Sequence, residues 1–242
     1  MNVEALERAC LEAWPARTRT QRDGWEFCAT SDRSGRANAV WPLSWTGADV
    51  HRAIANARAW CACQAITSTF KLADGATAPP DLAGALTAAG FTPRTETLVM
   101  TRAIEMATSP FGVELHDKPS DDIWSPLNES APDAADAAER RYIVERIAAP
   151  RRFALVRSNG LPAAVGLGVL SGDLIGIYLM RTAPWARRNG FARDIVQTLT
   201  HWGASEGAQT AYLQVEQANE VAVALYVHEG FNVAYRYRYW RR

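Results

Sequence analysis

The chain has 242 residues, 48% of them hydrophobic and 21% charged, a balance that belongs to a folded globular protein and excludes overall disorder. Its 26 basic and 26 acidic side chains cancel, which removes the basic excess that would argue for a nucleic-acid partner. No apolar run approaches the roughly 18 residues of a membrane helix, and the opening from Val3 is amphipathic and charged rather than shaped like a signal peptide; the expectation is a cytoplasmic protein with no membrane and no nucleic-acid partner.

The length is about one and a half times that of a 150-residue domain, so two compact units fit as well as one. Cys10, Cys28, Cys61 and Cys63 all lie in the first quarter, without a CxxC pair or histidines at zinc-finger spacing, and are expected to be buried free thiols with no metal. Lys71 and Lys118 are the only lysines. Neither follows a glycine-rich turn or stands in a Schiff-base context, which sets aside phosphate-loop and pyridoxal-phosphate chemistry.

Val3 to Ala13 is expected to be a helix with Leu6, Cys10 and Trp14 on one face, ended by Trp14-Pro15. Strand-like stretches follow at Gly24 to Ala29 and Asn38 to Leu43, and the turn-rich Thr30 to Gly35 between them predicts a hairpin. Asp49 to Trp60 has helical spacing, Ala65 to Leu72 that of a strand, Ala73 to Pro80 the composition of a loop, and Asp81 to Ala89 that of a short helix. Thr108, Ser109, Pro110 and Gly112 interrupt the pattern, so the chain is expected to divide near Ser109 into units 1–108 and 109–242.

Beyond that point Val113 to His116 reads as a strand, and Ser120 to Glu129 and Asp133 to Ile147 as helices. Three strands follow, Arg152 to Arg157, Ala163 to Leu170 and Leu174 to Met180, with links short enough for antiparallel pairing. A long helix then repeats Phe191, Ile195, Leu199 and Trp202 as one buried stripe. Strand Thr210 to Glu216, helix Asn219 to Glu229 and strand Phe231 to Trp240 close the chain. Passage from strand to strand through the long helix requires a parallel step, so the fold class is mixed α/β or α+β.

The most informative segment is Arg187-Arg188-Asn189-Gly190-Phe191-Ala192, between a strand and the start of that helix. Amides at a helix start lack intrahelical partners and lie at the positive end of the helix dipole. Gly190 lets an anion approach the main chain, small Ala192 leaves room beyond it, and Arg187 and Arg188 add charged donors; the implied ligand is a pyrophosphate. The plain alternative is a solvated helix start with two surface arginines.

Three elements in order, the strand that breaks at Pro184, the R-x-x-G-x-A turn, and Asn219 followed by Ala224-Leu225-Tyr226 and Gly230-Phe231, resemble the GNAT superfamily of N-acetyltransferases. The resemblance covers Val113 to Arg242 and is densest from Ile177 to Phe231. It implies a mixed, mostly antiparallel central sheet flanked by helices, with acetyl-CoA as co-substrate and no metal. It also implies that the backbone around Met180, Arg181 and Thr182 holds the pantetheine arm, and that the amides of Arg188 to Ala192 take the pyrophosphate. Asn219 is then beside the coenzyme arm and Tyr226 near the sulfur.

Acetyl transfer to an amine needs a neutral amine, a stabilised oxyanion and a proton for the departing thiolate. Tyrosine suits the last task because its ordinary pKa near 10 is comparable with that of an alkyl thiol, so Tyr226 is expected to be the general acid. A strand N–H left unpaired where neighbouring strands part suits the oxyanion. For the base, Glu216 at its strand end comes first, with Tyr178 or a relayed water as alternatives. His201 and His228 read as surface residues. Tyr235, Tyr237 and Tyr239 share one face of the last strand with arginines on the other, as an edge or near-edge strand would.

Gly90-Phe91 overlays on Gly230-Phe231, aligning Asp81 to Thr101 with Val221 to Arg241 and placing Leu86 where Tyr226 stands. The first half has no R-x-x-G-x-A turn, and is expected to be a degenerate copy packed on a competent second half in tandem. Such a half would wall the acceptor cleft, with Trp25, Trp41 and Trp45 as lining or core residues. The acceptor is expected to be a small-molecule or peptide amine and the protein a monomer or homodimer; a non-catalytic acyl-CoA-binding regulatory module is the alternative function.

Overall fold

A computed structural model of the chain describes residues 2–105 and 112–242. The expected boundary near Ser109 lies outside the described residues. The elements run α1 (Val3–Ala13), β1 (Thr18–Arg22), β2 (Trp25–Ala29), β3 (Val40–Trp41), α2 (Val50–Cys63), β4 (Thr69–Ala73), α3 (Leu82–Ala88) and β5 (Thr92–Ala103). After the undescribed stretch come β6 (Val113–His116), α4 (Asp121–Glu129), α5 (Ala134–Arg146), β7 (Arg151–Ser158), β8 (Leu161–Ser171), β9 (Leu174–Thr182), α6 (Phe191–Ser205), β10 (Thr210–Glu216), α7 (Glu220–His228) and β11 (Asn232–Arg241).

Among the described residues the strands form one sheet in the order β1-β2-β3-β4-β11-β5-β10-β9-β8-β7-β6. All pairings are antiparallel except β3 with β4 and β9 with β10. Those two parallel steps are made through α2 and α6, so each half of the chain repeats one strand–helix–strand crossover.

The last strands of the two halves are exchanged. Strand β11 inserts between β4 and β5, while β5 inserts between β11 and β10. Their mutual register is reciprocal: Thr92 faces Arg241 and Thr101 faces Asn232. The overlay of the two Gly-Phe segments has a matching hydrogen bond in each half. The amide of Phe91 donates to the Leu86 carbonyl at 2.9 Å, and the amide of Phe231 to the Tyr226 carbonyl at 2.9 Å. Strand β11 is thus interior, not an edge: with neighbours on both sides and a packed face, Tyr235 and Tyr237 are buried and Arg236 and Arg238 exposed.

Alternation along the strands sorts the core. Val99, Val165, Tyr178, Tyr212 and Tyr237 face α1, α4 and α5. Leu98, Met100, Ile177 and Leu213 face α6 and α7. Trp25, Phe27, Val40 and Phe70 pack with α2 and α3.

Some expectations fail locally. Strand β1 has no counterpart among the expected elements; a two-residue Asp23-Gly24 turn folds it onto β2. The β2–β3 hairpin forms as expected. Strand β4 starts at Thr69 rather than Ala65, because α2 extends to Cys63. Cys10, Cys28 and Cys61 are buried but Cys63 is exposed on the last turn of α2. His228 is exposed as expected, whereas His201 is half-buried with an Nδ1 that lacks a hydrogen-bond partner among the described residues.

Candidate functional site

Strands β9 and β10 pair only from Leu174–Thr210 to Ile177–Leu213. Beyond that register both continue, β9 to Thr182 and β10 to Glu216, without pairing to each other. The divergence follows from a bulge in β9. Against β8, Tyr178 faces Leu167 and Arg181 faces Val165, so Leu179 and Met180 together oppose Gly166. Leu179 takes a φ of 52°, a left-handed backbone that a leucine adopts only under tertiary constraint.

The gap opens into a cavity of about 570 Å³ whose walls come from both halves of the chain. Ile177 to Arg181 and Gln214 to Glu216 form the diverging strands, and Asn219 and Tyr226 close one side from α7. The opposite side is made by Trp14 at the end of α1, the Ser34-Gly35-Arg36 loop, Asp136, Glu139 and Arg140 of α5, and Tyr237 and Tyr239 of β11. Of the residues expected at the site, Met180, Arg181, Glu216, Asn219 and Tyr226 meet here.

Polar groups of the cavity wall are bonded to one another and to the side chains behind them. The Tyr178 and Tyr212 hydroxyls are 2.8 Å apart, Tyr237 donates to Gln214 Oε1 at 2.9 Å, and Gln214 Nε2 donates to Cys10 Sγ at 3.1 Å. Trp14 stacks on Tyr178 with centroids 5.7 Å apart. Burial raises the Tyr178 hydroxyl well above its ordinary value of 10.0, and the nearby Cys10 adds to the shift. That shift favours the protonated hydroxyl.

Tyr226 is buried, packed on Phe231 with centroids 6.1 Å apart. Burial pushes its hydroxyl up to about 12, against the opposing influence of the Arg181 guanidinium. A group of that acidity is protonated throughout the neutral range. Glu216 is exposed at the strand end, facing Thr97 across the β10–β5 ladder. Asn219 caps α7, its side chain accepting from the Ala222 amide at 3.2 Å.

The Arg187–Ala192 turn lies outside the cavity lining, at the start of α6. Gly190 is the N-cap at φ 82°, offers no side-chain cap, and a Cβ placed there would meet nothing within 4 Å. The positive φ selects glycine and the open space above it leaves the helix amides reachable. Asn189 ties the turn from below through its Nδ2, which donates to the carbonyls of Ala186 at 3.1 Å and Arg187 at 3.2 Å. Arg187 and Arg188 are exposed, and Phe191 and Ala192 half-buried.

The expected tryptophans do not line the cavity. Trp25 and Trp41 are fully buried, and Trp45 packs against Trp25 at 5.1 Å within the core under α2. Trp14, Arg36, Tyr237 and Arg140 take that place, and none carries a local motif. Trp14 and Tyr237 read as core or half-buried aromatics, and only the fold brings them to β9.

A family model described as "Probable histone acetyltransferase Rv0428c C-terminal" matches residues 1–240. A relative in Bacillus subtilis (strain 168), the "Uncharacterized N-acetyltransferase YobR", is 25% identical over 248 aligned residues covering 98% of each chain. Among solved structures, a GCN5-related N-acetyltransferase from Kribbella flavida superposes with a TM-score of 0.73 at 16% identity, covering 100% of this chain and 96% of that one. A tandem GNAT protein from the clavulanic acid biosynthesis pathway gives 0.64 at 12% identity, covering 98% and 87%. With the whole chain matched, the protein belongs to the family described as the Rv0428c C-terminal acetyltransferase family, and with it to the GNAT superfamily of N-acetyltransferases.

Proposed function

We propose that the protein moves an acetyl group from acetyl-CoA to a primary amine, with residues 109–242 holding the coenzyme and residues 1–108 walling the acceptor side. The observation that carries this is the divergence of β9 and β10 at the Leu179 bulge, with Tyr226 and Glu216 lining the gap.

The residues present suit the coenzyme. The open, uncapped start of α6 offers main-chain donors from Arg188 to Ala192 to a diphosphate, with Arg187 and Arg188 beside them. Among the described residues neither arginine has a carboxylate partner. The edge of β9 at Met180, Arg181 and Thr182, freed from β10, suits an extended amide-bearing arm, and Asn219 stands across the gap. When bound, acetyl-CoA supplies the activated acyl carbon.

The chain's own groups then divide the proton handling. Glu216 accepts a proton from the incoming ammonium or amine, directly or through water. Tyr226, kept protonated by burial, donates to the sulfur that departs. A main-chain amide of β9 beyond Ile177, where β10 no longer pairs with it, steadies charge on the carbonyl oxygen without reorganisation.

A coupled thiol-release assay against a broad amine panel tests this. Turnover with some acceptor that slows in Tyr226→Phe, with coenzyme affinity kept, supports the reading. Tight coenzyme binding with no turnover would instead assign the non-catalytic module, and no heat with millimolar coenzyme would remove both.

A further inference from the structure

Six ionised side chains line the cavity: Arg36, Arg140 and Arg181, and Asp136, Glu139 and Glu216. Three of them are occupied within the protein. Asp136 and Arg140 pair one turn apart on α5. Glu139, almost fully buried, accepts from the backbone amides of Ser31, Arg33 and Ser34, from the Ser31 hydroxyl, and from the Asn38 amide. Its charge is thereby used to tie the 31–38 loop to α5. Glu216 and two guanidiniums remain.

Among the described residues no carboxylate lies within ion-pair distance of Arg36 or Arg181. Arg36, on the loop that Glu139 fixes, lies over the rings of Trp14 at 5.0 Å and Tyr178 at 5.4 Å from their centroids. A guanidinium held by aromatic faces keeps its in-plane N–H donors for a planar oxyanion. Arg181 gives Nε to Ser130 Oγ and one terminal nitrogen to the Met180 carbonyl, each at 2.8 Å, which leaves its other terminal nitrogen. Arg181 is exposed at the cavity wall; partial desolvation there and the charges of Arg140 and Arg36 hold it below its ordinary value against Tyr226 and Asp136, and an anion beside it would relieve the repulsion.

We infer that the acceptor is a small zwitterionic amine, an amino acid or a close analogue, whose carboxylate is received by Arg36 and Arg181 and whose amine faces Glu216. The inference rests on the acetyl-transfer reading of the same cavity. In the step it implies, the acceptor nitrogen bonds the acetyl carbon and the carbon–sulfur bond breaks. The ammonium first gives one proton to Glu216; Tyr226 supplies the proton that ends on sulfur, the second proton shed by the acylated nitrogen returns through water to the Tyr226 oxygen, Glu216 releases its own to solvent, and the carboxylate is unchanged. A polyamine or a basic peptide would bring its surplus positive charge against two unneutralised guanidiniums, which disfavours both.

Matched pairs test it: ornithine with putrescine, lysine with cadaverine, phenylalanine with phenethylamine, and a lysine-rich peptide beside them. The carboxylated member is expected to be used about tenfold better or more in kcat/KM, the scale of a hydrogen bond to a charged group. Arg36→Ala is expected to raise the acceptor KM and erase most of that preference while acetyl-CoA affinity stays, Arg36→Lys to restore part of it, and Arg181→Met to reproduce the loss from the β9 side. Equal or better use of the decarboxylated amines or the peptide overturns the inference, and so does an Arg36→Ala effect on acetyl-CoA affinity alone. Calorimetric titration of the same pairs into the coenzyme A-saturated protein reads the preference without turnover. Absence of thiol release with every acceptor therefore counts against the transferase reading, whereas absence of a binding preference counts against this one.

Discussion

Helices α2 and α6 hold equivalent places, each joining two parallel strands, and their N-termini are finished in opposite ways. At α2 the N-cap is Asp49, whose carboxylate accepts from the Arg52 amide at 3.0 Å. The helix dipole there is already satisfied by a negative charge. At α6 the N-cap is Gly190, with no side chain to compete for the amides. A carboxylate cap stabilises the helix and repels a phosphate; a glycine gives up the cap and leaves an anion site. The same contrast recurs one helix later. Leu86 and Tyr226 accept the same backbone bond from the following phenylalanine, yet Leu86 is sealed in the core while Tyr226 lines the cavity. Where β9 and β10 part, the β3–β4 side is filled by Trp25, Phe70 and Phe91, with ring centroids 5.7 and 5.3 Å apart. Two copies of one arrangement thus separate into a packed half and an open one through a few side chains.

The sharpest way to break the contrast is to give α6 the cap that α2 has. Gly190→Asp sets a carboxylate at the proposed diphosphate site and forces a non-glycine residue to φ 82°, so acetyl-CoA affinity by calorimetry is expected to fall by about three orders of magnitude. The second comparison is between the paired helix positions. Tyr226→Phe is expected to lower kcat by about a hundredfold with coenzyme affinity and urea midpoint nearly unchanged. Leu86→Ala is expected to destabilise by about 2–5 kcal/mol in urea while the remaining folded protein turns over normally.

Alkaline titration reads the packed core. Burial raises Cys10 and Cys28 from 9.0 to about 12 and Tyr226 from 10.0 to about 12. The unfolded chain releases these protons first, so their contribution to stability is full below about pH 9 and is lost as pH climbs toward 12. Urea midpoints between pH 8 and 11 are expected to fall accordingly. The smallest effect belongs to the satisfied helix: Asp49→Ala is expected to lower stability by about 1 kcal/mol and leave acetyl-CoA affinity untouched, because α2 faces no ligand.

Local patterns carried a large part of the fold. Of the stripe Phe191, Ile195, Leu199 and Trp202, the last three are buried as the spacing required and Phe191 at the helix start is half-buried, and the short links around β7, β8 and β9 made antiparallel pairs. The glycine-capped start of α6 was legible because its logic is local, a glycine between a strand and an amphipathic helix. The Gly-Phe repeat was legible too, since each copy is closed by a bond within its own helix end. The polar β1, the interior position of β11 and the exposed Cys63 were not, since long-range pairing and packing outweigh residue preference at each.

The acceptor side shows the division most clearly. Composition, spacing and turn chemistry determine which segments become helices and strands and where an uncapped glycine opens a helix start, because those properties depend on neighbours within a few residues. Which wall faces Tyr226 depends on the exchange of β5 and β11, which carries Tyr237 into the middle of the sheet, and on α1 and α5, which bring Trp14, Arg36 and Arg140 to one cavity. Their places are set by burying the faces of one continuous sheet, a balance over the whole chain that no local window contains.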